Sequence, residues 1–181
     1  MRFLPLPVHG AGLLLHEPMQ DERGSFTRTF CADELAGFGL DGRAAQSNES
    51  WSKKAFTLRG LHFMARPKRE AKTIRVLRGA IWDAIVDIRR DSPTYLAVAT
   101  AELREGDGRS VHVPAGCAHG FLSLLDDTVI SYVITEAYDP AYYRGLRWND
   151  PAFRIPWPRE PAVLHPRDAA FPDFDAERDA T

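Results

Sequence analysis

The middle of the chain is a series of short runs of branched apolar residues that stop and start at turn-forming residues. Ala71–Arg78, Ala80–Arg89, Leu96–Leu103, Arg109–Pro114 and Asp127–Ala137 are such runs. Between them lie Arg78-Gly79, Asp91-Ser92-Pro93, Gly106-Asp107-Gly108 and Pro114-Ala115-Gly116. Branched side chains favour extended backbone and Gly, Pro and Asp favour turns, so each run predicts a strand. Within Trp82–Arg89, positions 82, 84, 86 and 88 are apolar while Asp83, Asp87 and Arg89 are polar. Ile85 breaks the alternation, which predicts a strand covered on much of both faces. Cys31–Phe38 predicts one short helix, with Asp33 near its start and Gly39 after its end. From Trp148 onward the Pro-rich, acidic sequence reads as loops and a short terminal helix. Many strands, short turns and no long amphipathic helix favour a mainly β sandwich or jelly roll.

Composition narrows this little. A chain of 181 residues, 44% hydrophobic and 27% charged, suits one domain around one core. The expected division is 1–50 as an N-terminal arm and strands, 51–147 as the core, and 148–181 as C-terminal loops and tail. A net charge of −2 gives no support for nucleic-acid or membrane-surface binding. The two cysteines, Cys31 and Cys117, provide no disulfide framework and no CxxC pair for zinc, and they suit a reducing cytoplasm. No run approaches the ~20 apolar residues of a membrane span, and Met1-Arg2-Phe3-Leu4-Pro5 lacks the apolar core of a signal peptide. A cytoplasmic protein is the expectation.

Candidate chemistry begins at Gly108–His119, a Gly-x5-Pro-x-Gly-x2-His pattern. A glycine turn leads into a strand ending at Pro114, and a turn at Gly116 aims His119 into a barrel mouth. The pattern is similar to the second cupin motif, with Ser123 where that motif usually has Asn. A metal-binding cupin also needs a His-x-His-x(3–4)-Glu run from an earlier strand. His62, in Arg59-Gly60-Leu61-His62-Phe63, has no second histidine beside it, so no catalytic metal and no other cofactor are expected.

A longer set of blocks then aligns in order: Asp21-Glu22-Arg23-Gly24, Gln46-Ser47-Asn48-Glu49-Ser50, Leu58–Phe63, Ala71-Lys72, Gly79-x3-Asp83-x3-Asp87 running on to Thr94, Pro114–Phe121, Tyr132, Tyr138-Asp139-Pro140 and Trp148–Pro151. Through them the chain resembles the dTDP-4-dehydrorhamnose 3,5-epimerase family over nearly its whole length. The resemblance implies a cupin-type double-stranded β-helix and a nucleotide-diphospho-4-keto-6-deoxyhexose substrate. It also implies a homodimer, with Gly10–Phe30 as an arm that helps close the partner's site.

In such a substrate the ketone at carbon 4 acidifies the hydrogens on carbons 3 and 5, because the carbanion delocalises onto oxygen. Inversion needs a base on one face, an acid on the other, and donors at the enolate oxygen. The resemblance assigns the base to His62, whose unperturbed pKa of about 6.5 lets it accept a proton near neutrality. It assigns the partner carboxylate to Asp168, in Leu164-His165-Pro166-Arg167-Asp168, and the acid to the phenol of Tyr132. Lys72 is the lysine expected beside the ketone oxygen. His119 is expected to line the same cavity as binding or enolate support.

Arg23 and Arg59 suit phosphate oxygens, Arg167 is expected to bind substrate, and Gln46 and Asn48 suit sugar or phosphate oxygens. Phe26, Tyr138 and Tyr143 are expected near the nucleotide or sugar. Two positions depart from the family pattern. Arg28 stands where a glutamate is common, and Tyr143 stands where a second glutamate precedes the Gly-x-x-Trp segment. The expected consequence is a substrate altered in its base or sugar, or one inversion instead of two. The alternatives are a keto-sugar isomerase and a non-catalytic sugar-nucleotide-binding cupin. Retention of His62, Lys72 and Tyr132 favours epimerisation over both.

Overall fold

A computed structural model describes residues 1–181. The chain runs through β1 (Arg2–Pro5), β2 (Gly12–Leu15), β3 (Met19–Asp21), β4 (Gly24–Phe26), α1 (Ala32–Gly37), β5 (Gln46–Ser52), β6 (Thr57–Met64) and β7 (Lys72–Arg78). It continues with β8 (Ala80–Asp87), β9 (Val98–Arg104), β10 (Arg109–Val113), β11 (Cys117–Ser123), β12 (Thr128–Ile134), β13 (Tyr143–Gly145), β14 (Val163–Leu164), α2 (Pro166–Ala169) and α3 (Ala176–Asp179). One sheet has the order β1-β2-β10-β7-β12-β5. The other has β13-β6-β11-β8-β9, with β14 added to β6 in parallel. The neighbours β10–β7, β12–β7, β11–β6 and β11–β8 are distant in sequence and antiparallel, as in a jelly roll.

The inner faces of both sheets meet in one apolar cluster. Ile74, Val76, Val111, Val113 and Ile130 come from the first sheet, and Ile81, Ile85, Leu103 and Phe121 from the second. This cluster fills one end of the barrel. At the other end Ile74, Phe121 and Ile130 form the floor of an open cavity.

A second cluster covers the outside of the β6–β11–β8 sheet. Leu61, Phe63, Val86, Ile88 and Ala118 pack there beneath Leu146 and Phe153 of the C-terminal segment. Strand β8 is therefore enclosed on both sides, which accounts for the interrupted alternation: Ile85 faces the barrel and Val86 faces the tail. The tail is more ordered in its pairing than the sequence suggests. Val163–Leu164 forms a short strand beside Thr57-Leu58, and two one-turn helices follow it.

Part of the segment Gly10–Phe30 expected as an arm belongs to the chain's own sheet. Gly12–Leu15 is paired on both sides within its own sheet, against β1 and β10. Only β3 and β4 form a separate hairpin, and every residue from Glu17 to Phe26 is exposed. The alternation Gly-Leu-Leu-Leu carries no polar position to distinguish a paired strand from an arm.

On the outer face of the first sheet, His112 of β10 is 2% exposed and faces Thr73 of β7, with Nδ1 3.2 Å from the Thr73 hydroxyl. Burial depresses its pKa to about 4, against a smaller opposing effect of Asp41. A folded pKa below the unfolded value of about 6.5 means that the unfolded chain takes up the proton first. This contribution to stability is complete above pH ~6.5, falls as the pH drops toward ~4, and amounts to about 3 kcal/mol. Urea unfolding between those pH values should show a steep loss of stability in the wild-type protein and a shallower one in His112→Asn. Parallel slopes would exclude His112 as the source.

Candidate active site

The open end of the barrel is a cavity of about 660 Å³. Three strands of the first sheet present alternate residues to it: Gln46, Asn48 and Ser50 from β5, Ile130, Tyr132 and Ile134 from β12, and Lys72 and Ile74 from β7. Strands β6 and β11 of the second sheet contribute Arg59, His62 and His119 from the facing wall. His62 and Tyr132 therefore rise from opposite sheets toward one space.

Local sequence explains how His62 is held. Gly60 has φ +125°, and a Cβ there would lie 2.6 Å from Gly120 Cα, so only glycine lets β6 approach β11 this closely. The Gly60 N–H donates to Asp168 Oδ2 at 3.0 Å. His62 Nε2 lies 3.0 Å from the same oxygen. Asp168 reaches this position on the one-turn helix α2, where Pro166 occupies the first turn and the His165 ring accepts from the Arg167 N–H at 3.1 Å.

Burial works against the charge on Asp168. The His62 ring, the Gly60 N–H and the Arg167 guanidinium (Nε to Oδ1, 3.2 Å) prevail and hold its pKa at about 2. Burial lowers the pKa of His62, and Asp168 only partly restores it. The imidazole is thus neutral at physiological pH beside an ionised carboxylate. Because the carboxylate is acceptor-only, Nε2 carries the ring proton and Nδ1 holds the free lone pair.

Tyr132 has the opposite character. Burial raises its pKa, the Glu70 carboxylate adds to the shift, and Arg59 opposes it. Its phenol keeps its proton near neutral pH and is a donor. Lys72 Nζ is 3.1 Å from Glu70 Oε1. His119 is paired in register with His62, and its Nε2 lies 2.8 Å from Asp83 Oδ2. The barrel therefore contains two histidine–carboxylate pairs. No three His, Cys, Asp or Glu side chains converge as a metal-binding group.

Around the mouth, Tyr143 lies 5.1 Å from His62 and 5.4 Å from Tyr138 between ring centroids, with the Arg167 guanidinium 5.3 Å over its ring. The Arg59 guanidinium donates to the Trp51 carbonyl at 2.9 Å. Gln46 accepts from the Tyr138 N–H.

Eleven of the thirteen expected residues thus line one cavity. Arg23 and Phe26 do not: they lie on the exposed β3–β4 hairpin, where Arg23 pairs with Asp21. Arg28 is also elsewhere, bound to Glu34 of α1 at 3.0 Å. Two residues given no role from sequence belong to the site, Asp83 and Glu70. Asp83 stood in the aligned Gly79-x3-Asp83-x3-Asp87 block with no role attached, and Ile81 and Ile85, which share its inward parity, show their direction only in the fold.

The fold and this lumen define a cupin-type barrel with a neutral imidazole and a protonated phenol on facing walls. The family described as dTDP-4-dehydrorhamnose 3,5-epimerase matches residues 5–176, and the chain belongs to it. It is an isomerase of the epimerase type. A dTDP-4-dehydrorhamnose 3,5-epimerase of Sinorhizobium fredii is 40% identical, covering 96% of this chain and 90% of that protein. A dTDP-4-dehydrorhamnose 3-epimerase of Streptomyces niveus is 36% identical over 93% and 81%. The structure of the Legionella pneumophila dTDP-6-deoxy-D-glucose-3,5-epimerase in complex with dTDP-4-keto-L-rhamnose superposes with a TM-score of 0.89 at 31% identity, covering 97% of this chain and 95% of that one. No helix is long and apolar enough to cross a membrane.

Proposed function

We propose that this enzyme inverts carbon 3, carbon 5 or both in a nucleotide-diphospho-4-keto-6-deoxyhexose, with dTDP-4-keto-6-deoxyglucose as the preferred substrate. The observation that carries this reading is the placement of His62 with Asp168 on one wall and Tyr132 on the other. His62 Nδ1 takes the proton from the carbon beside the ketone, the C–H electron pair becomes the new carbon–carbon double bond, and the carbonyl π pair moves onto the carbon-4 oxygen. Lys72 offers an ammonium to that oxygen, and the lumen keeps most water away from the charge. The Tyr132 phenol returns a proton from the far face, and the tyrosinate and imidazolium then exchange protons with solvent. Arg59 and Arg167 at the mouth suit the diphosphate, and Tyr138 and Tyr143 offer ring faces.

One inversion, not two, is a specific second reading, because the Streptomyces niveus relative is named as a 3-epimerase and Tyr143 stands beside the base. The decisive experiment incubates dTDP-4-keto-6-deoxyglucose with the protein in deuterated water and follows label at carbons 3 and 5 by NMR. Label at both with inversion supports the double epimerase, and label with inversion at one supports the mono-epimerase. No label with this or with CDP- and GDP-linked keto sugars refutes the reading.

A homodimer extends the same proposal. The β3–β4 hairpin carries Arg23 and Phe26 away from this chain's own lumen, with the Phe26 ring open to solvent. A second subunit gives both a place at its mouth. Arg23→Ala should then raise KM several-fold with little change in kcat, and sedimentation should give twice the chain mass. A monomer with unaltered KM would defeat this. The unpaired Cys31 and Cys117 suit a cytoplasmic location.

A further inference from the structure

Glu70 stands two residues before Lys72, the first residue of β7, and both line the cavity together with Ile74. Their charged ends meet at 3.1 Å, with side-chain exposures of 7% for Glu70 and 12% for Lys72. Asp168 is the other carboxylate lining the cavity, and it is occupied by His62, Gly60 and Arg167. A lysine ammonium is a point charge on a flexible stem with three donors. Left free in a lumen that admits a nucleotide sugar, it has two anionic destinations: the developing enolate oxygen and the substrate's own diphosphate. The diphosphate carries full charge from the moment of binding, whereas the enolate carries charge only during the reaction.

We propose that Glu70 is a positioning residue that tethers Lys72. One N–H is held by the carboxylate, and the remaining donors stay directed to the ketone oxygen instead of swinging to the phosphates. The inference rests on the epimerase reading for its kinetic consequence but not for the tether itself. It makes Glu70 matter to turnover and not to affinity, because a freed lysine still binds substrate, in an unproductive pairing.

The test is a double-mutant cycle of Glu70→Gln and Lys72→Ala, read by deuterium exchange into the keto sugar. Glu70→Gln should lower kcat at least 10-fold while leaving KM unchanged or lower, and should have no further effect once Lys72 is alanine. Glu70→Asp should recover part of the rate. Equal losses from Glu70→Gln in both backgrounds, or a raised KM with unchanged kcat, would overturn the proposal. Where the glutamine variant folds poorly, the aspartate variant is placed in the same cycle and must also lose its effect when Lys72 is alanine. A substrate-independent measurement accompanies the kinetics: limiting reductive methylation of the substrate-free protein should modify Lys72 several-fold faster in Glu70→Gln than in wild type. Equal methylation rates overturn the tether whether or not any keto sugar is turned over, whereas absent exchange by wild type defeats only the epimerase reading.

Discussion

Replacing His62 by alanine should abolish solvent exchange at carbon 3 and carbon 5 together, with a loss of kcat on the order of 10²–10⁴-fold. The two positions should fall together because one neutral imidazole, that of His62 buried beside an ionised Asp168, is proposed as the base for both carbons. The ring's environment sets the sign of the pH dependence. Burial lowers the His62 pKa and Asp168 partly raises it again. The base is active when deprotonated, so exchange should fall on the acid side of its pKa, below the ordinary histidine range. Asp168→Asn removes the group that raises it, and should shift that acid limb to still lower pH. The same change should lower the plateau, because an amide can donate to Nε2 and stabilise the wrong ring tautomer. Exchange measured from pH 5 to 8 in the wild type and both variants tests this. Label still entering carbon 3 or carbon 5 in His62→Ala would remove the imidazole from the mechanism.

Tyr132→Phe should separate two events that His62→Ala abolishes together. The phenyl ring keeps the packing beside Ile74 and Ile130, while the donor that burial keeps protonated is lost. Net inversion should drop on the order of 10²-fold or more, while washout of substrate hydrogen on the His62 side changes only a few-fold. The readout is the ratio of deuterium incorporated with retention to that incorporated with inversion, carbon by carbon. An equal loss of exchange and inversion would show that the phenol does not act from the far wall. Inversion lost at one carbon alone would show that another donor serves the second.

Much of the candidate site was legible in the sequence. The five predicted strands fall within a few residues of their limits, because branched runs between Gly and Pro turns are local signals, whereas β11 was not predicted because Cys117–Ser123 holds no β-branched residue. His62, Lys72, Tyr132 and Asp168 stood out through ordered blocks that align with a family. The early strands β5 and β6 carry polar, site-facing residues in place of an apolar alternation, so their pattern said little about strands. Glu70 went unnoticed because a carboxylate next to basic Arg69 in a charged loop reads as solvated surface. Only its place in the fold, two residues before β7, turns it inward onto Lys72.

The amino-acid sequence by itself determined the strand-rich character of this protein, which follows from branched runs between turn residues, and through its ordered family blocks it singled out the imidazole, phenol, ammonium and carboxylate proposed for proton transfer. The tertiary structure alone decided that His62 and Tyr132 stand on opposing walls, that Asp83 and Glu70 serve His119 and Lys72, and that Arg23 and Phe26 lie outside this chain's own cavity. Those relations join segments far apart in sequence, or depend on which way a side chain turns. The closure of two sheets around a lumen fixes them, and so does the burial that holds the His62 imidazole neutral and the Tyr132 phenol protonated.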